Sequence, residues 1–400
     1  MTQATLEKAS VQAAGQPARL YFADHLRAAL AILVVLHHIA IVYGASSPFY
    51  YVEPPFEEPV AFKSLLVFVL FNQAWFMGAF FFLAGYFTPG SYDRKGPGSF
   101  LRERLVRLGI PILIFTFVLS PIASLGSYLM PTSLTGITDP PTWQAYPDMI
   151  GLGPLWFVAM LLVFSLGYSL WRKLTGDRTP DAPGKAAAPG YLLVGFFILA
   201  LALVSFLFRM IVPLGQEVSV FVNFLSFPTI AYLPQYLSFF ILGIIASRQG
   251  WLRTLPGSMG VVGFVAALVA AIVLFPLAFS GQLFSLDLTP ALENAMGNGH
   301  WQSAAYVLWD SIFAVGIILA LIPLFRRFVN AKGSFGTFLA RHSYAVYILH
   351  IPIIVFLAYA LRDVELNNLV KFGLAALIMV PVCFVIAYVV RKIPLVSRVL

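Results

Sequence analysis

The chain has 400 residues, of which 60% are hydrophobic and only 10% are charged, and its net charge is +8. A typical soluble domain contains about 25% charged residues, so this composition argues against a soluble enzyme and indicates a polytopic membrane protein. The single cysteine, Cys383, excludes an intramolecular disulfide and a cysteine metal site.

The N-terminal segment, residues 1–18, lacks the apolar stretch of a signal peptide. It is predicted to form a mobile cytoplasmic tail. A membrane-spanning helix needs roughly 20 mainly apolar residues. Ten stretches in 19–400 meet this requirement and predict an all-α bundle of about ten transmembrane helices in a single domain. They are 24–44, 64–88, 108–128, 152–171, 191–213, 223–247, 257–279, 303–325, 343–361 and 369–390.

The charges of the connecting segments predict the orientation of this bundle. One set of loops, together with both termini, carries 20 of the 25 lysine and arginine residues, and the opposite set carries most of the acidic residues. The positive-inside rule therefore predicts that both termini lie in the cytoplasm. It also accounts for the basic net charge without a nucleic-acid partner.

Polar groups in the first span are unusual because ionisable side chains inside a membrane are costly and commonly functional. Arg27 and His38 lie on one face of the predicted helix, roughly 16 Å apart along its axis. Asp24 lies near the same face, whereas His37 points about 100° away from His38. We predict that this face lines a cavity, with Arg27 near its cytoplasmic end and His38 in the outer half of the membrane.

Asp310, in the eighth span, lies about two turns from the predicted outer end, close to the expected depth of His38. A carboxylate bonded to one ring nitrogen would fix the tautomer of a histidine, so we predict that Asp310 pairs with His38 in a catalytic site. Arg209, near the outer end of the fifth span, is expected to extend toward the membrane surface or to pair with Glu217.

Ser343, Tyr347 and His350 share one face of the ninth span, and Tyr347 and His350 are possible cavity-lining residues. His350 lies two turns from the predicted cytoplasmic end, so it is not expected to reach His38 unless helices tilt or shift. A role in binding and a structural hydrogen bond between helices both remain open for it.

Arg104 and Arg107 are three residues apart at the start of the third span, in the segment FLRERLVRLGIP. Guanidinium groups suit phosphate recognition because they donate two parallel hydrogen bonds. On the residues alone, however, anchoring by positive charge at the membrane surface is the simpler explanation.

Five stretches resemble the membrane-bound acyltransferase-3 family, and are most similar to its periplasmic-glucan succinyltransferase branch. They occur in family order across residues 20–353 and read YFADHLRAALAILVVLHHIAIVYG, WFMGAFFFLAGYF, FLRERLVRLGIP, GPLWFVAMLL and SYAVYILHIPI. The resemblance implies a transmembrane acyltransferase domain over 19–400, in a bacterial inner membrane. It implies an acyl-CoA donor bound from the cytoplasm, and a hydroxyl of a glycan or lipid-linked sugar as acceptor.

The resemblance also implies roles for individual residues. The essential histidine of the family maps to His38, because the spacing from Arg27 matches, and the Arg-x-x-Arg pair maps to Arg104 and Arg107 as donor-binding residues. An anionic donor would dock at these arginines and at Arg27, and its thin arm would pass along the face of Asp24 and His38. His38 would act as a general base or as a covalent acyl carrier, and both mechanisms remain open.

A different class of function also places ionisable groups in spans, namely a transporter or a flippase of an acylated or sugar substrate. The halves of the sequence show no repeat and no matched pair of broken helices, both of which are common in transporters. No metal site is predicted, because no histidine or acidic cluster has suitable spacing. No permanently bound cofactor is expected.

Overall fold

The structure is a computed structural model that describes residues 19–54, 58–176, 188–220, 225–282 and 287–400. The predicted mobile tail, 1–18, lies outside the described residues. Ten helical segments, labelled α1 to α10, form the bundle. They are α1 Tyr21–Gly44, α2 Pro59–Arg104, α3 105–129, α4 Trp156–Leu174, α5 Tyr191–Arg209, α6 Leu233–Gln249, α7 Gly257–Ala278, α8 Trp301–Phe328, α9 Ser334–Ala360 and α10 Asn368–Val390.

The segments α2 and α3 form one continuous helical run, Pro59–Leu129, so nine separate helices in the described part of the chain are long and apolar enough to cross a membrane. The 71 residues of the run Pro59–Leu129 would extend roughly 105 Å as a straight helix. This is far more than the roughly 30 Å of a bilayer core. The helix breaks at Gly96, whose φ of 71° and ψ of 166° are not helical. Pro97 follows directly and removes a backbone donor.

The run reverses direction at this break. Leu65, near the start of α2, packs against Gly44 at the end of α1. Ser127, at the end of α3, donates a 3.4 Å hydrogen bond to the carbonyl of Tyr50, which follows α1. Both ends of the run therefore lie at the same end of the bundle, and α2 and α3 supply two of the ten predicted spans.

The end of the bundle that holds this break is called the basic end. There Asp93 accepts hydrogen bonds from Arg172 at 2.9 Å and from Arg248 at 2.6 Å, which joins α2, α4 and α6. α1 begins at this end, where the Phe22 amide donates to Asn330. α10 ends there as well, where Arg391 donates to the carbonyl of Arg341.

Short elements connect the long helices, and one of them corrects a predicted span. The sequence predicts a helix over 223–247, of which residues 223 and 224 lie outside the described residues. In the structure Leu225–Phe227 is a strand paired with Val218–Val220, and α6 begins only at Leu233. Pro228 and Pro234 interrupt the apolar run, because proline removes backbone donors and is best tolerated in the first turn of a helix. The remaining short helices are Thr132–Thr135, Trp143–Ala145, Tyr146–Met149, Gly153–Leu155, Ile230–Tyr232, Trp251–Thr254, Thr289–Met296 and Val396–Val399.

Glycines allow the closest helix contacts of the bundle. A side chain at Gly85 of α2 would overlap the Phe240 carbonyl of α6, and one at Gly243 of α6 would overlap the Phe82 carbonyl of α2. Small residues let helix backbones approach in this way, and in lipid such packing replaces the hydrophobic effect as a source of association. The α2–α6 pair is therefore a rigid part of the frame.

The helices differ in how much of their apolar surface the protein covers. Within the most apolar stretch of α1, 67% of residues are buried, whereas the value for α5 is 17%. α1 is thus a central helix, and α5 faces lipid along most of its length. His38 is consequently partly buried among other helices, whereas Arg27, near the start of α1, is exposed.

Candidate active site

His38 of α1 and His350 of α9 meet inside the bundle. The Nε2 atom of His350 lies 3.2 Å from Nδ1 of His38, and the ring centroids are 4.8 Å apart. The sequence predicted that His350 would lie too near the cytoplasmic end to reach this depth. That prediction is wrong, because α9 begins at Ser334 and not at residue 343.

The starting points of the helices explain the meeting. His350 is 16 residues from the start of α9, and His38 is 17 residues from the start of α1. At 1.5 Å per residue both lie roughly 24–26 Å from the basic end. The two helices begin at the same end and run in the same direction, so the two rings arrive at the same level.

Backbone carbonyls determine which nitrogens of the two rings carry hydrogen. His350 Nδ1 lies 2.7 Å from the carbonyl oxygen of Tyr347, and His38 Nδ1 lies 2.9 Å from that of Val34. A carbonyl can only accept, so both Nδ1 atoms must be donors. Neutral His350 then presents an unprotonated Nε2, which accepts a second, shared hydrogen bond from His38 Nδ1.

Protonation of Nδ1 determines the state of Nε2, the other ring nitrogen of His38. With Nδ1 protonated, a neutral His38 carries its free electron pair on Nε2, and this is the atom that can remove a proton. His350 is completely buried, whereas His38 is only half-buried. His38 is therefore the more accessible ring of the pair, and its Nδ1 is held by Val34 and His350.

Aromatic side chains frame the pair. Phe49 stacks on the His38 ring with a centroid separation of 5.5 Å, and Tyr347 lies 5.9 Å from the His350 ring. His37, which the helical wheel turned away from His38, is buried against Phe76 at 5.0 Å. Sequence reasoning missed Phe49, because it follows the predicted span and has no periodic partner.

The GPLW segment, which leads into α4, contacts α9 next to this site. Tyr347 donates a hydrogen bond to the carbonyl of Pro154, which ties α9 to that segment. Gly153 adopts a φ of 45°, and a side chain there would overlap Tyr50 and Phe115. Only glycine combines this backbone conformation with such close contact. The motif was visible in the sequence, but its contact with Tyr347 was not.

Asp24 and Arg27 lie at the basic end of α1. Asp24 accepts a hydrogen bond from Arg19 at 2.8 Å and also pairs with Arg27. The guanidinium of Arg27 lies 5.2 Å from the Phe87 ring, and 45% of its side chain is exposed. Asp24 thus neutralises part of the local positive charge, while Arg27 remains open to an anionic ligand.

The predicted donor-binding arginines of α2 and α3 sit next to α9. The hydroxyl of Tyr344 donates a 2.6 Å hydrogen bond to the carbonyl of Arg107, and the Arg107 side chain lies 3.5 Å from Glu103. Arg104 packs over the Phe100 ring at 5.1 Å. Tyr344 is six residues before His350, so the arginines lie roughly 9 Å closer to the basic end than the histidine pair.

Asp310 does not occupy the predicted position beside His38. It forms a 2.7 Å ion pair with Arg209 of α5, and both side chains are almost completely buried, at 2% and 1% exposure. The Arg209 guanidinium also lies 4.5 Å from the Tyr232 ring. Depth alone suggested the contact with His38. A desolvated carboxylate is most stable beside a cation, and Arg209 provides one at the same level.

The fold and the site together define a class: a multi-pass helical membrane protein with a hydrogen-bonded histidine pair inside the bundle and arginines at one end. The chain belongs to the acyltransferase-3 family, described as "Acyltransferase domain", which matches residues 20–388. The family assignment confirms the resemblance inferred from the five motifs.

Curated relatives cover almost the whole chain. Glucans biosynthesis protein C of Salmonella schwarzengrund (strain CVM19633) is 23% identical over 393 residues, which is 94% of this chain and 93% of the relative. The proteins of the same name from Salmonella agona (strain SL483) and Salmonella dublin give the same identity and coverage. No solved structure matches the chain.

Proposed function

We propose that this protein is an acyl-CoA-dependent O-acyltransferase of a bacterial inner membrane, which esterifies a hydroxyl of a glucan or of a lipid-linked sugar. The observation that carries the proposal is the half-buried His38, whose Nε2 is left unprotonated by the contacts of its Nδ1. The name of the relatives supports a glucan acceptor. The positive-inside rule supports a cytoplasmic position for the basic end.

The proposed reaction uses His38 as a general base. Nε2 removes the proton of the acceptor hydroxyl while its oxygen attacks the thioester carbonyl of the donor, and a carbon–oxygen bond forms. The tetrahedral intermediate then collapses, the carbon–sulfur bond breaks, and the thiolate of coenzyme A receives a proton from the His38 imidazolium. The products are the acyl ester and free coenzyme A, and His38 returns to its neutral form.

The proposed function is tested by mass spectrometry of glycans and lipids from cells that produce the wild-type protein or no protein. The expected result is a set of glycan or sugar-lipid species heavier by one acyl group in the wild-type cells only. Acylated species that change only in their location across the membrane, with no change in amount, would instead indicate a transporter or flippase.

His350 is expected to act as a positioning residue. His350→Leu removes the acceptor of the His38 Nδ1–H bond, and we expect about a fivefold loss of kcat, since one hydrogen bond contributes roughly 1 kcal/mol. His350→Gln retains an acceptor oxygen and should recover part of the activity. Steady-state kinetics of both variants at several pH values checks this. Equal losses in the two variants at every pH would contradict the orienting role.

Arg104 is expected to contribute to donor binding and not to the chemical step. Arg104→Ala should raise the KM for the acyl-CoA by about tenfold or more, because hydrogen bonds to charged groups contribute roughly 1.5–3 kcal/mol. The measurement is kcat and KM with purified protein, and Lys173→Ala is the control, since Lys173 is an exposed cation on α4. A fall in kcat at unchanged KM would contradict the prediction.

A further inference from the structure

A cleft at the basic end joins the start of α3 to the segment after α10. Its volume is about 600 Å³, and the side chains that supply its charge are Arg102, Glu103, Arg107, Arg391 and Arg398. Pockets that hold small molecules commonly measure about 300–1,000 Å³. Four arginines and one carboxylate in such a space give a strongly positive lining.

The single side-chain carboxylate of this lining is already paired with cations. Glu103 pairs with Lys95 and lies 3.5 Å from Arg107. Arg102 and Arg398 lie on the exposed surface of the cleft. The described side chains around the cleft therefore leave it with an excess of positive charge, which favours binding of an anion.

Arg391 is the most constrained of the four arginines. One of its guanidinium nitrogens donates to the carbonyl of Arg341, while its Nε is buried and has no hydrogen-bond partner among the described residues. Burial, together with the charges of Arg341 and Arg107, lowers the pKa of Arg391 below its usual range. A buried donor beside repelling cations is relieved by an anion that accepts its hydrogen bond.

The position of the cleft connects it to the histidine pair. Arg107 lines the cleft, and its carbonyl accepts the hydroxyl of Tyr344 on α9. Along α9, Tyr344 neighbours Tyr347 and Tyr347 neighbours His350, each at a spacing of three residues, so the three side chains form a row that slants around the helix by about 120°. A ligand anchored in the cleft would have to extend roughly 9 Å along α9, from the level of Tyr344, to reach the level of the histidine pair.

We propose that this cleft binds the phosphate groups of the donor nucleotide, with Arg102, Arg391 and Arg398 acting beside Arg107. The proposal rests on the proposed function, in which the donor is an acyl-CoA. It assigns phosphate binding to the segment after α10, which lies far in sequence from the Arg-x-x-Arg pair. Clustered guanidinium groups are suited to phosphate because each can donate two parallel hydrogen bonds.

The test measures binding of coenzyme A by calorimetry to the full chain in phosphatidylcholine nanodiscs. The variant R391Q/R398Q is expected to bind at least tenfold more weakly than wild type. The matched control is K392Q, because Lys392 is an exposed neighbour of Arg391 that packs on Tyr388 and does not line the cleft. In steady-state kinetics, R391Q/R398Q should raise the KM for acyl-CoA and leave the KM for acyl-pantetheine, which lacks the nucleotide, unchanged.

The outcomes separate this proposal from the proposed function. Equal binding of coenzyme A to wild type and R391Q/R398Q overturns the phosphate site alone. Weaker binding to the variant, in a protein without His38-dependent acyl transfer, supports the site and overturns the reaction. Wild-type protein that does not bind coenzyme A overturns both. If R391Q/R398Q instead loses retention of phosphatidylglycerol while coenzyme A binding is unchanged, the cleft holds a lipid headgroup and the proposal is overturned.

Discussion

Replacement of His38 by alanine is expected to lower acyl transfer by about 10²–10⁴-fold, the usual contribution of a general base. The physical reason is that Nε2 of His38 carries an unshared electron pair. This nitrogen belongs to the more accessible of the two rings. Removing the ring also leaves Nε2 of the buried His350 without its donor, although the carbonyl bond of His350 Nδ1 is retained. The measurement is single-turnover transfer of a labelled acyl group by purified protein.

The control for this experiment is His300→Gln. His300 is exposed and directly precedes α8, so its replacement should leave both the rate and the thermal stability unchanged. His38→Ala should also elute as a monodisperse protein with donor affinity close to that of wild type. Transfer at the wild-type rate by purified His38→Ala would refute the role of His38 in the chemical step.

Replacement of Asp310 by leucine is expected to lower the free energy of unfolding by about 3–5 kcal/mol, the usual effect of leaving one member of a buried ion pair unpaired. Arg209 would then remain buried, with 1% exposure, beside the rings of Tyr232 and Tyr306. Two of its nitrogens, Nε and Nη1, already lack hydrogen-bond partners among the described residues. The measurement is denaturant unfolding of the purified protein in detergent.

The double variant Arg209→Met/Asp310→Leu separates a structural role of Asp310 from a catalytic one. Replacing both charges by apolar groups of similar volume removes the unpaired cation, so much of the lost stability should return. Because the carboxylate contacts Arg209 and not His38, acyl transfer should return with the stability. A stable double variant without activity would show that Asp310 takes part in catalysis.

The class of fold could be predicted from the sequence, because composition and the length of an apolar stretch can be read from each segment without knowing how the helices pack. Ten apolar stretches predicted ten spans, and the described residues contain nine helices that are long and apolar enough to cross a membrane, one of which reverses at Gly96 and includes two of the predicted spans. The start of α9 was less predictable. Residues 334–342, SFGTFLARH, are polar enough to resemble a loop, yet they are helical because they extend α9 at the basic end of the bundle.

The error of nine residues in the predicted start of α9 also changed the predicted site. It moved His350 away from the level of His38 and left Asp310 as the only candidate partner for the base. Arg209 competes for Asp310 because an opposite charge stabilises a buried carboxylate more than a neutral imidazole does. Which of two possible partners a buried group chooses depends on how the helices are arranged in space, and helical periodicity within one span carries no information about this arrangement.

The slight burial of α5 has a mechanical consequence. Lipid tails solvate an apolar helix about as well as neighbouring helices do, so lateral displacement of α5 exchanges one apolar environment for another. Only four of its residues, Leu201, Ala202, Ser205 and Arg209, are buried. The strongest resistance to such a movement is therefore concentrated at one end of the helix, in the Arg209–Asp310 pair. The buried Arg209–Asp310 pair therefore holds one end of α5 more firmly than the other end, where Tyr191 is exposed.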